Sequence, residues 1–167
     1  MCVTRERGLF LYYDESLSVG CSALERKRDI YTVTTDVTRF DLDVIHGYLA
    51  SSYWSPGIPR EIVAKGLENS VAFGLFAGTE QIGLARVITD RATFAYLVDV
   101  FVLEGYRGRG LSKWLMQCIL SHPDLQGLRR FALATRDAHT LYAQFGFTPL
   151  QDASKHMEIT RPDVYLS

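Results

Sequence analysis

The chain has 167 residues, of which 47% are hydrophobic and 22% charged, and its formal net charge is −1 at pH 7. These values are typical of one globular domain with a core of ordinary size, and they exclude a disordered, collagen-like or coiled-coil chain. A nearly neutral chain has no overall field to attract nucleic acid or an anionic membrane. No apolar run approaches the roughly 20 residues of a membrane span.

The three cysteines, Cys2, Cys21 and Cys118, are widely spaced, and none forms a Cys-x-x-Cys pair. This pattern argues against a disulfide framework and against a zinc site. An apolar patch at Leu9–Tyr13 predicts one short strand, and two acidic residues follow it at once, which is unlike a signal peptide. We therefore expect a cytoplasmic protein without a metal site.

The sequence predicts an N-terminal extension followed by one folded domain. Residues 1–28 carry mixed charge without a clear period, so we expect a peripheral or poorly ordered extension, and residues 29–167 form the domain. The alternating, β-branched run Ile30–Thr34 predicts its first strand. Asp36 or Thr38 is expected to cap the following helix, because a short side-chain oxygen accepts from a free backbone N–H.

The first predicted helix places Leu42, Ile45 and Leu49 on one apolar face. Pro59 is expected at the start of a second helix, which ends at Asn69. Three strands separated by turn residues come next and predict an antiparallel meander; they are Val71–Ala77, Ile82–Thr89 and Thr93–Leu103.

The periodicity becomes helical again after residue 110, and this helix ends before Pro123. A strand at Phe131–Thr135 and a short helix at Ala138–Phe145 follow, and Gly146 terminates the helix. One or two further strands are expected between Phe147 and Thr160. This order predicts a mixed α/β fold with helices on both sides of one sheet.

A strand rich in β-branched and aromatic residues leads directly into the glycine-rich basic turn Gly105-Tyr-Arg-Gly-Arg-Gly. The first N–H groups of the next helix lack intrahelical partners, and the helix dipole adds positive charge there. Gly108 and Gly110 let the backbone approach an anion, while Arg107 and Arg109 add formal charge. The turn therefore predicts a phosphate site; the alternative is an ordinary tight turn with two exposed arginines.

Two other classes of phosphate site are disfavoured. A P-loop needs a lysine after its second glycine, and none is present. A dinucleotide-binding fold needs a third glycine in a parallel unit, whereas the predicted meander is antiparallel.

At this turn the chain resembles the GNAT superfamily of N-acetyltransferases. Gly105-Tyr-Arg-Gly-Arg-Gly is similar to the motif Gln/Arg-x-x-Gly-x-Gly/Ala and departs from it at Gly105. Leu141-Tyr-Ala-Gln-Phe-Gly-Phe is similar to the superfamily's Tyr-x-x-x-Gly-Phe helix end. The resemblance covers Ile30 to about Pro162. It implies the acyl-CoA N-acyltransferase fold, with a central, mostly antiparallel sheet, flanking helices and splayed central strands.

The resemblance also implies a cofactor site, in which acetyl-CoA enters between splayed strands at Asp99–Leu103 and Phe131–Thr135. Backbone groups of Phe101 and Val102 would pair with the pantetheine, and an N–H there would stabilise the oxyanion. The pyrophosphate would lie on Arg107, Gly108, Arg109, Gly110, Leu111 and Ser112. The acetyl group would pass directly to a primary amine in a ternary complex.

The implied general acid is Tyr142, with aromatic packing as the alternative. Asp99 would take the amine's proton directly or through water, unless it pairs with an arginine at a strand kink. For the acceptor, Tyr53 and Trp54 could stack on an amine and Arg86 could bind a carboxylate. Packing of Trp54 and a surface salt bridge of Arg86 are the alternatives.

Two other functions stay open on the sequence, because fold alone does not determine function. One is an acyl-CoA-binding sensor or interaction domain of the same fold, and the other is a module that binds another diphosphate nucleotide. The acceptor is either a small-molecule amine or a protein amine. A homodimer through the C-terminal strands or the N-terminal extension is compatible with the sequence.

Overall fold

The computed structural model describes residues 23–166, so the strand predicted at Leu9–Tyr13 lies outside the described residues. Within that range the chain forms six strands and four α-helices. In chain order these are β1 (Glu25–Arg28), β2 (Tyr31–Thr34), α1 (Leu42–Ala50), α2 (Arg60–Glu68), β3 (Val71–Ala77), β4 (Glu80–Thr89), β5 (Phe94–Val102), α3 (Leu111–Leu120), β6 (Arg130–Leu133) and α4 (His139–Ala143).

The six strands form one sheet in the order β1-β2-β3-β4-β5-β6. Every neighbouring pair is antiparallel except β5 and β6, which are parallel. The chain reaches the parallel strand through α3, as a parallel connection requires. The predicted mixed α/β fold with a mostly antiparallel sheet is confirmed.

Helices cover both faces of the sheet, because successive strand residues point to opposite faces. On one face α1 and α2 pack over Leu84 and Phe101. On the other face α3 packs over β3 and β5, and the neighbouring residues Ala85 and Val102 belong to that core. The sheet is therefore a middle layer, and its strand ends meet helices from both sides.

The first helix begins later than predicted. Asp36 accepts from the backbone of Thr38 and caps a short 3-10 turn at Val37–Arg39. Asp41 caps α1 by accepting from the N–H groups of Asp43 and Val44. The predicted cap was therefore wrong for the α-helix. Two capping aspartates lie five residues apart; Asp36 caps the 3-10 turn and Asp41 caps α1.

Two predictions at the edges of the sheet differ from the structure. β1 was not predicted, because its sequence Glu-Arg-Lys-Arg has no apolar period and it becomes a strand by pairing with β2. The strands predicted between Phe147 and Thr160 are absent from the described residues, where only a 3-10 turn at Ala153–Lys155 forms. The alternating pair Met157 and Ile159 has no core to face, since these side chains are 99% and 92% exposed.

Candidate active site

A fork in the sheet forms the site. β5 and β6 pair from Phe94 with Arg130 to Leu97 with Leu133, and β5 then continues to Val102 without a partner on that side. A cleft of about 1120 Å³ opens at this point. The ends of both strands, the loop between α1 and α2, and α4 line the cleft. The splayed strands expected from the resemblance are present.

The backbone of β5 changes direction inside the fork. The register against β4 shifts between Leu84 and Arg86, where β5 carries one extra residue, and Asp99 has a φ of 54°. Such a bulge bends the strand and re-aims its peptide groups. Beyond it, the Leu103 N–H donates to the carbonyl of Ile82 on β4, at 2.8 Å.

The alternation of a strand then decides which backbone groups face the fork. Because Leu103 is bonded to β4, the neighbouring Val102 directs its N–H and carbonyl toward the fork, and Phe101 directs its own toward β4. Of the two residues predicted to pair with pantetheine, Val102 turns its backbone groups toward the fork and Phe101 does not. Phe101 contributes its ring instead, which stacks on Tyr48 with centroids 3.9 Å apart.

The glycine-rich turn leaves a row of amides open. Gly108 and Gly110 have φ of 77° and 72°, and no atom lies within 4 Å of a Cβ built on either. No side chain caps α3, whose first backbone bond runs from Trp114 to the carbonyl of Gly110. The N–H groups from Gly108 to Lys113 therefore have no acceptor among the described residues. This is the arrangement that binds phosphate at a helix N-terminus.

The two arginines of this turn are held by neighbouring groups. The Arg107 Nε donates to the Val102 carbonyl at 3.0 Å, and its Nη2 donates to the Tyr48 hydroxyl at 3.1 Å. The Arg109 guanidinium donates to the Tyr31 hydroxyl and to the carbonyl of Gly105, both at 3.1 Å. Arg107 thus points into the fork, where it holds the carbonyl at the end of the free edge.

Tyr142 reaches the cleft from α4. Its side chain is 8% exposed, packs with Phe147 and belongs to the core beneath α3. The hydroxyl has no hydrogen-bond partner among the described residues, and no fully buried polar atom there lacks one, so the hydroxyl opens into the cleft. Burial raises the pKa of Tyr142 to about 12, with smaller effects from Tyr53 and Asp137. The phenol therefore stays protonated at neutral pH.

Asp99 lines the same cleft but is already engaged. Both the Nε and the Nη2 of Arg86 lie 2.8 Å from its Oδ2, and the side chains of Arg86 and Asp99 are 19% and 10% exposed. The indole of Trp54 donates to the other oxygen, Oδ1, at 3.3 Å. A third Arg86 nitrogen donates to the carbonyl of Gly66 at 3.3 Å. The carboxylate at a strand kink paired with an arginine, weighed above as the alternative, is the observed geometry.

The loop between α1 and α2 reaches across the cleft. Tyr53 packs edge-on against Trp54, and its hydroxyl accepts from the backbone N–H of Arg136 at 3.3 Å. The Arg136 guanidinium lies over the Tyr53 ring, 3.7 Å from its centroid. Tyr53 and Trp54, which were predicted to contact the acceptor, thus line the cleft beside Tyr142 and Asp99, and Arg86 reaches it as half of an ion pair.

Tyr48 and Arg136 also line this cleft and were not predicted. Tyr48 lies three residues after Ile45 and one turn before the loop, so its helical spacing was the available signal. Arg136 follows the short strand β6 without any motif, and its place on Tyr53 depends on a residue 83 positions earlier in the chain. No local signal could have found it.

Two kinds of feature are absent from residues 23–166. No helix there has the length and apolar character needed to cross a bilayer. That part of the chain also brings together no group of three or more His, Cys, Asp and Glu side chains that could hold a metal ion.

Comparisons with known proteins agree with this geometry. A family model described as the acetyltransferase (GNAT) domain matches residues 68–149. A Gibberella zeae protein, named provisionally as an acetyltransferase, is 34% identical over 140 residues, which is 70% of this chain and 78% of that protein.

Solved structures give the same family. A Xanthomonas campestris protein assigned to the GNAT family is 48% identical, with a TM-score of 0.80 over 82% of this chain and 97% of its own. A GNAT acetyltransferase from Elizabethkingia anophelis, crystallised with acetyl-CoA bound, shares the fold at 16% identity and a TM-score of 0.54, covering 72% of this chain and 78% of its own. The chain belongs to the GNAT family of acetyltransferases.

Proposed function

We propose that the protein transfers the acetyl group of acetyl-CoA directly to a primary amine. The observation that carries this proposal is one continuous path. It runs from the open amides before and within the first turn of α3, along the free edge of β5, to the hydroxyl of Tyr142 in the same cleft.

Acetyl-CoA fits the two ends of this path by its chemistry. The pyrophosphate needs N–H donors and positive potential, which the segment from Gly108 to Ser112 offers. The pantetheine amides need a strand edge, which Val102 provides at the fork. The Arg107 side chain donates to the Val102 carbonyl, which has a second lone pair that a pantetheine N–H can use.

The transfer step needs no acyl-enzyme. The neutral amine attacks the thioester carbon, the new C–N bond forms, and the carbonyl oxygen takes negative charge that a β5 backbone N–H at the fork stabilises. The tetrahedral intermediate then breaks its C–S bond, and the sulfur leaves with the electron pair. The nitrogen loses a proton to Asp99 Oδ1, directly or through water, since among the described residues Oδ1 accepts only from Trp54.

Tyr142 acts on the leaving sulfur as the proton donor. Its pKa of about 12 exceeds the value of about 8.5 for an ordinary thiol, so full proton transfer is uphill even to the completed thiolate. We therefore assign Tyr142 first the role of hydrogen-bond donor to the developing thiolate. The sulfur becomes a thiol only as the phenol is reprotonated, and the proton that the amine releases balances this step.

Binding and turnover are tested separately. Titration calorimetry with acetyl-CoA and CoA should show binding, and chromatography should show CoA formation with some members of an amine panel. Absence of heat at millimolar ligand would remove the proposal. Binding without turnover across the panel would favour the acyl-CoA-binding sensor.

A matched pair of glycine variants tests the pyrophosphate site. Gly108→Ala and Gly127→Ala both place an alanine at a positive φ, which is 77° at residue 108 and 69° at residue 127. Both sites have open space around the new Cβ. Each should cost about 1 kcal/mol of stability. Only Gly108→Ala should weaken acetyl-CoA binding. Equal affinities for the two variants would place the pyrophosphate elsewhere.

A further inference from the structure

The cleft holds three guanidinium groups and two carboxylates among its lining residues, Arg86, Arg107, Arg136, Asp99 and Asp137. Arg86 and Asp99 neutralise each other in a partly buried ion pair. Arg107 donates to a carbonyl and a hydroxyl, and it lies beside the turn that suits the pyrophosphate. The charge left for an acceptor is therefore that of Arg136, partly offset by Asp137.

Arg136 has its donors free. Its guanidinium makes no hydrogen bond within residues 23–166, and the Asp137 carboxylate lies 3.8 Å from its Nη2, beyond hydrogen-bond distance. Both side chains are about two-thirds exposed, at 65% and 68%. An ion pair of this kind contributes little, because water screens it and the side chains remain mobile.

Arg136 is nevertheless well oriented. The guanidinium stacks 3.7 Å above the Tyr53 ring, and the Arg136 backbone is tied to the Tyr53 hydroxyl. Stacking on a ring occupies the face of the planar group and leaves its edge N–H donors free. Such an edge fits the two oxygens of a carboxylate, and a cationic group there would be repelled.

The fork brings Arg136 close to the reacting groups. Pairing of β5 and β6 ends at Leu97 and Leu133, so Asp99 lies two residues beyond the fork on one strand and Arg136 three residues beyond it on the other. Three residues extend at most about 10 Å. A small molecule can therefore reach Arg136 with one end while its amine lies near Asp99 and Tyr142.

We propose that the acceptor is a small primary amine that carries a carboxylate, and that Arg136 recognises this carboxylate. The proposal rests on the proposed function and names its substrate class. The amine forms the new C–N bond as described above, while the carboxylate is bound and leaves unchanged. Arg136 is thus a specificity-determining residue outside the chemical step.

Matched acceptor pairs test this assignment. Amino acids and their amides, such as alanine with alaninamide and methionine with methioninamide, are compared as acceptors for the wild type, Arg136→Gln and Arg136→Lys. Arg129→Gln is the control, since Arg129 is exposed and outside the cleft. The measured quantity is the ratio of kcat/KM for acid over amide, in which differences of amine pKa cancel between variants.

Arg136→Gln should lower this ratio about tenfold to hundredfold, because it removes charge-assisted hydrogen bonds to the acid alone. The ratio for Arg136→Lys should lie between those of the wild type and Arg136→Gln, since lysine keeps the charge but lacks the planar guanidinium. Arg129→Gln should leave the ratio unchanged. In all three variants the KM for acetyl-CoA should stay within about threefold of the wild-type value, because the Arg136 side chain lies over Tyr53 and not at the glycine-rich turn.

Three outcomes would overturn the proposal. An equal loss of kcat/KM for the acid and for its amide would mean that Arg136 only positions the loop between α1 and α2. A raised KM for acetyl-CoA with an unchanged ratio would assign Arg136 to the cofactor. Efficient turnover of amides and diamines, with poor turnover of acids, would exclude the substrate class. Failure of the proposed function looks different, since then no acceptor is acetylated although calorimetry detects acetyl-CoA.

Discussion

At the scale of single residues, two acidic groups of the cleft have different surroundings. Tyr142 is enclosed by apolar neighbours, and burial raises its pKa, so it keeps its proton. Asp99 instead accepts hydrogen bonds from the guanidinium of Arg86 and the indole of Trp54. We propose that the first group donates to the leaving thiolate and that the second faces the acceptor amine.

Replacing Tyr142 by phenylalanine removes the proton donor and keeps the ring. We expect kcat to fall about 10² to 10⁴-fold, the range typical of a lost general acid. Affinity for acetyl-CoA should change little, because the substitution leaves unchanged the groups proposed to bind it, which are the N–H groups from Gly108 to Ser112 and the edge of β5. Steady-state kinetics combined with calorimetry checks both expectations, and an unchanged kcat would contradict the assignment.

The raised pKa of Tyr142 also predicts how stability depends on alkaline pH. A group whose pKa is higher in the folded state stabilises the protein below its unfolded pKa, about 10, and this contribution is lost as pH rises toward 12. Wild type should therefore lose stability relative to Tyr142→Phe between pH 10 and 12, by at most about 3 kcal/mol. Urea unfolding of both proteins at pH 8, 10 and 11 measures this; parallel curves would mean that the phenol is not shielded.

At the scale of secondary-structure elements, the bulge of β5 depends on a glycine of the neighbouring strand. A Cβ built on Gly83 would lie 2.6 Å from the carbonyl oxygen of Phe101, a backbone atom that moves only if the strand shifts. The close approach of β4 and β5 at this point sets the direction of the peptide groups at Val102. Gly83 thus helps to position the strand edge without touching a ligand.

Two glycine-to-alanine changes should have opposite signs. Gly83→Ala should destabilise the protein by roughly 1–3 kcal/mol or more and weaken acetyl-CoA binding, because β5 has to shift. Gly47 lies within α1, and no atom is within 4 Å of a Cβ built on it. Gly47→Ala should therefore stabilise the protein by about 0.5–1 kcal/mol. Chemical unfolding measures the free energies, and calorimetry measures the affinity. A neutral Gly83→Ala would show that the strands can separate freely.

At the scale of the whole molecule, the sheet separates two cores with different tasks. The core under α3 contains Phe73, Leu115 and Met116, all fully buried, and it supports Tyr142. The core under α1 and α2 is smaller and supports the loop between these helices through Tyr48 and Phe101. The proposed reaction site thus lies where two independently packed layers meet the fork.

Cys118 on α3 reports on the larger core. Its side chain is 4% exposed, and burial raises the pKa of its thiol, so both access and thiolate content are low. In the native protein we expect Cys118 to resist iodoacetamide at pH 8 and to react in urea once the chain unfolds globally. Peptide mapping distinguishes it from Cys2 and Cys21. Rapid native labelling would contradict the burial of this thiol, and an acetylated Cys118 after incubation with acetyl-CoA would contradict direct transfer.

Much of the architecture could be predicted from local patterns. The strand Val71–Ala77 has the bounds predicted for it, and α3 begins directly after Gly110, because β-branched runs, helical spacing and glycine act over a few residues. The helix ending before Gly146 follows the same logic, since that glycine has a φ of 87°. Errors arose where a local pattern had no partner, as in the C-terminal segment 147–160.

The sequence by itself determined the order of the elements, the glycine-rich turn and the family resemblance, because each depends on neighbours along the chain. Tertiary structure alone decided that Asp99 pairs with Arg86, that Arg107 reaches back to Val102, and that Arg136 stacks on Tyr53. The last contact joins residues 83 positions apart, and all three depend on how the strands part and the loops pack around the fork. Side-chain geometry of this kind is set by packing between distant segments, which no local periodicity encodes.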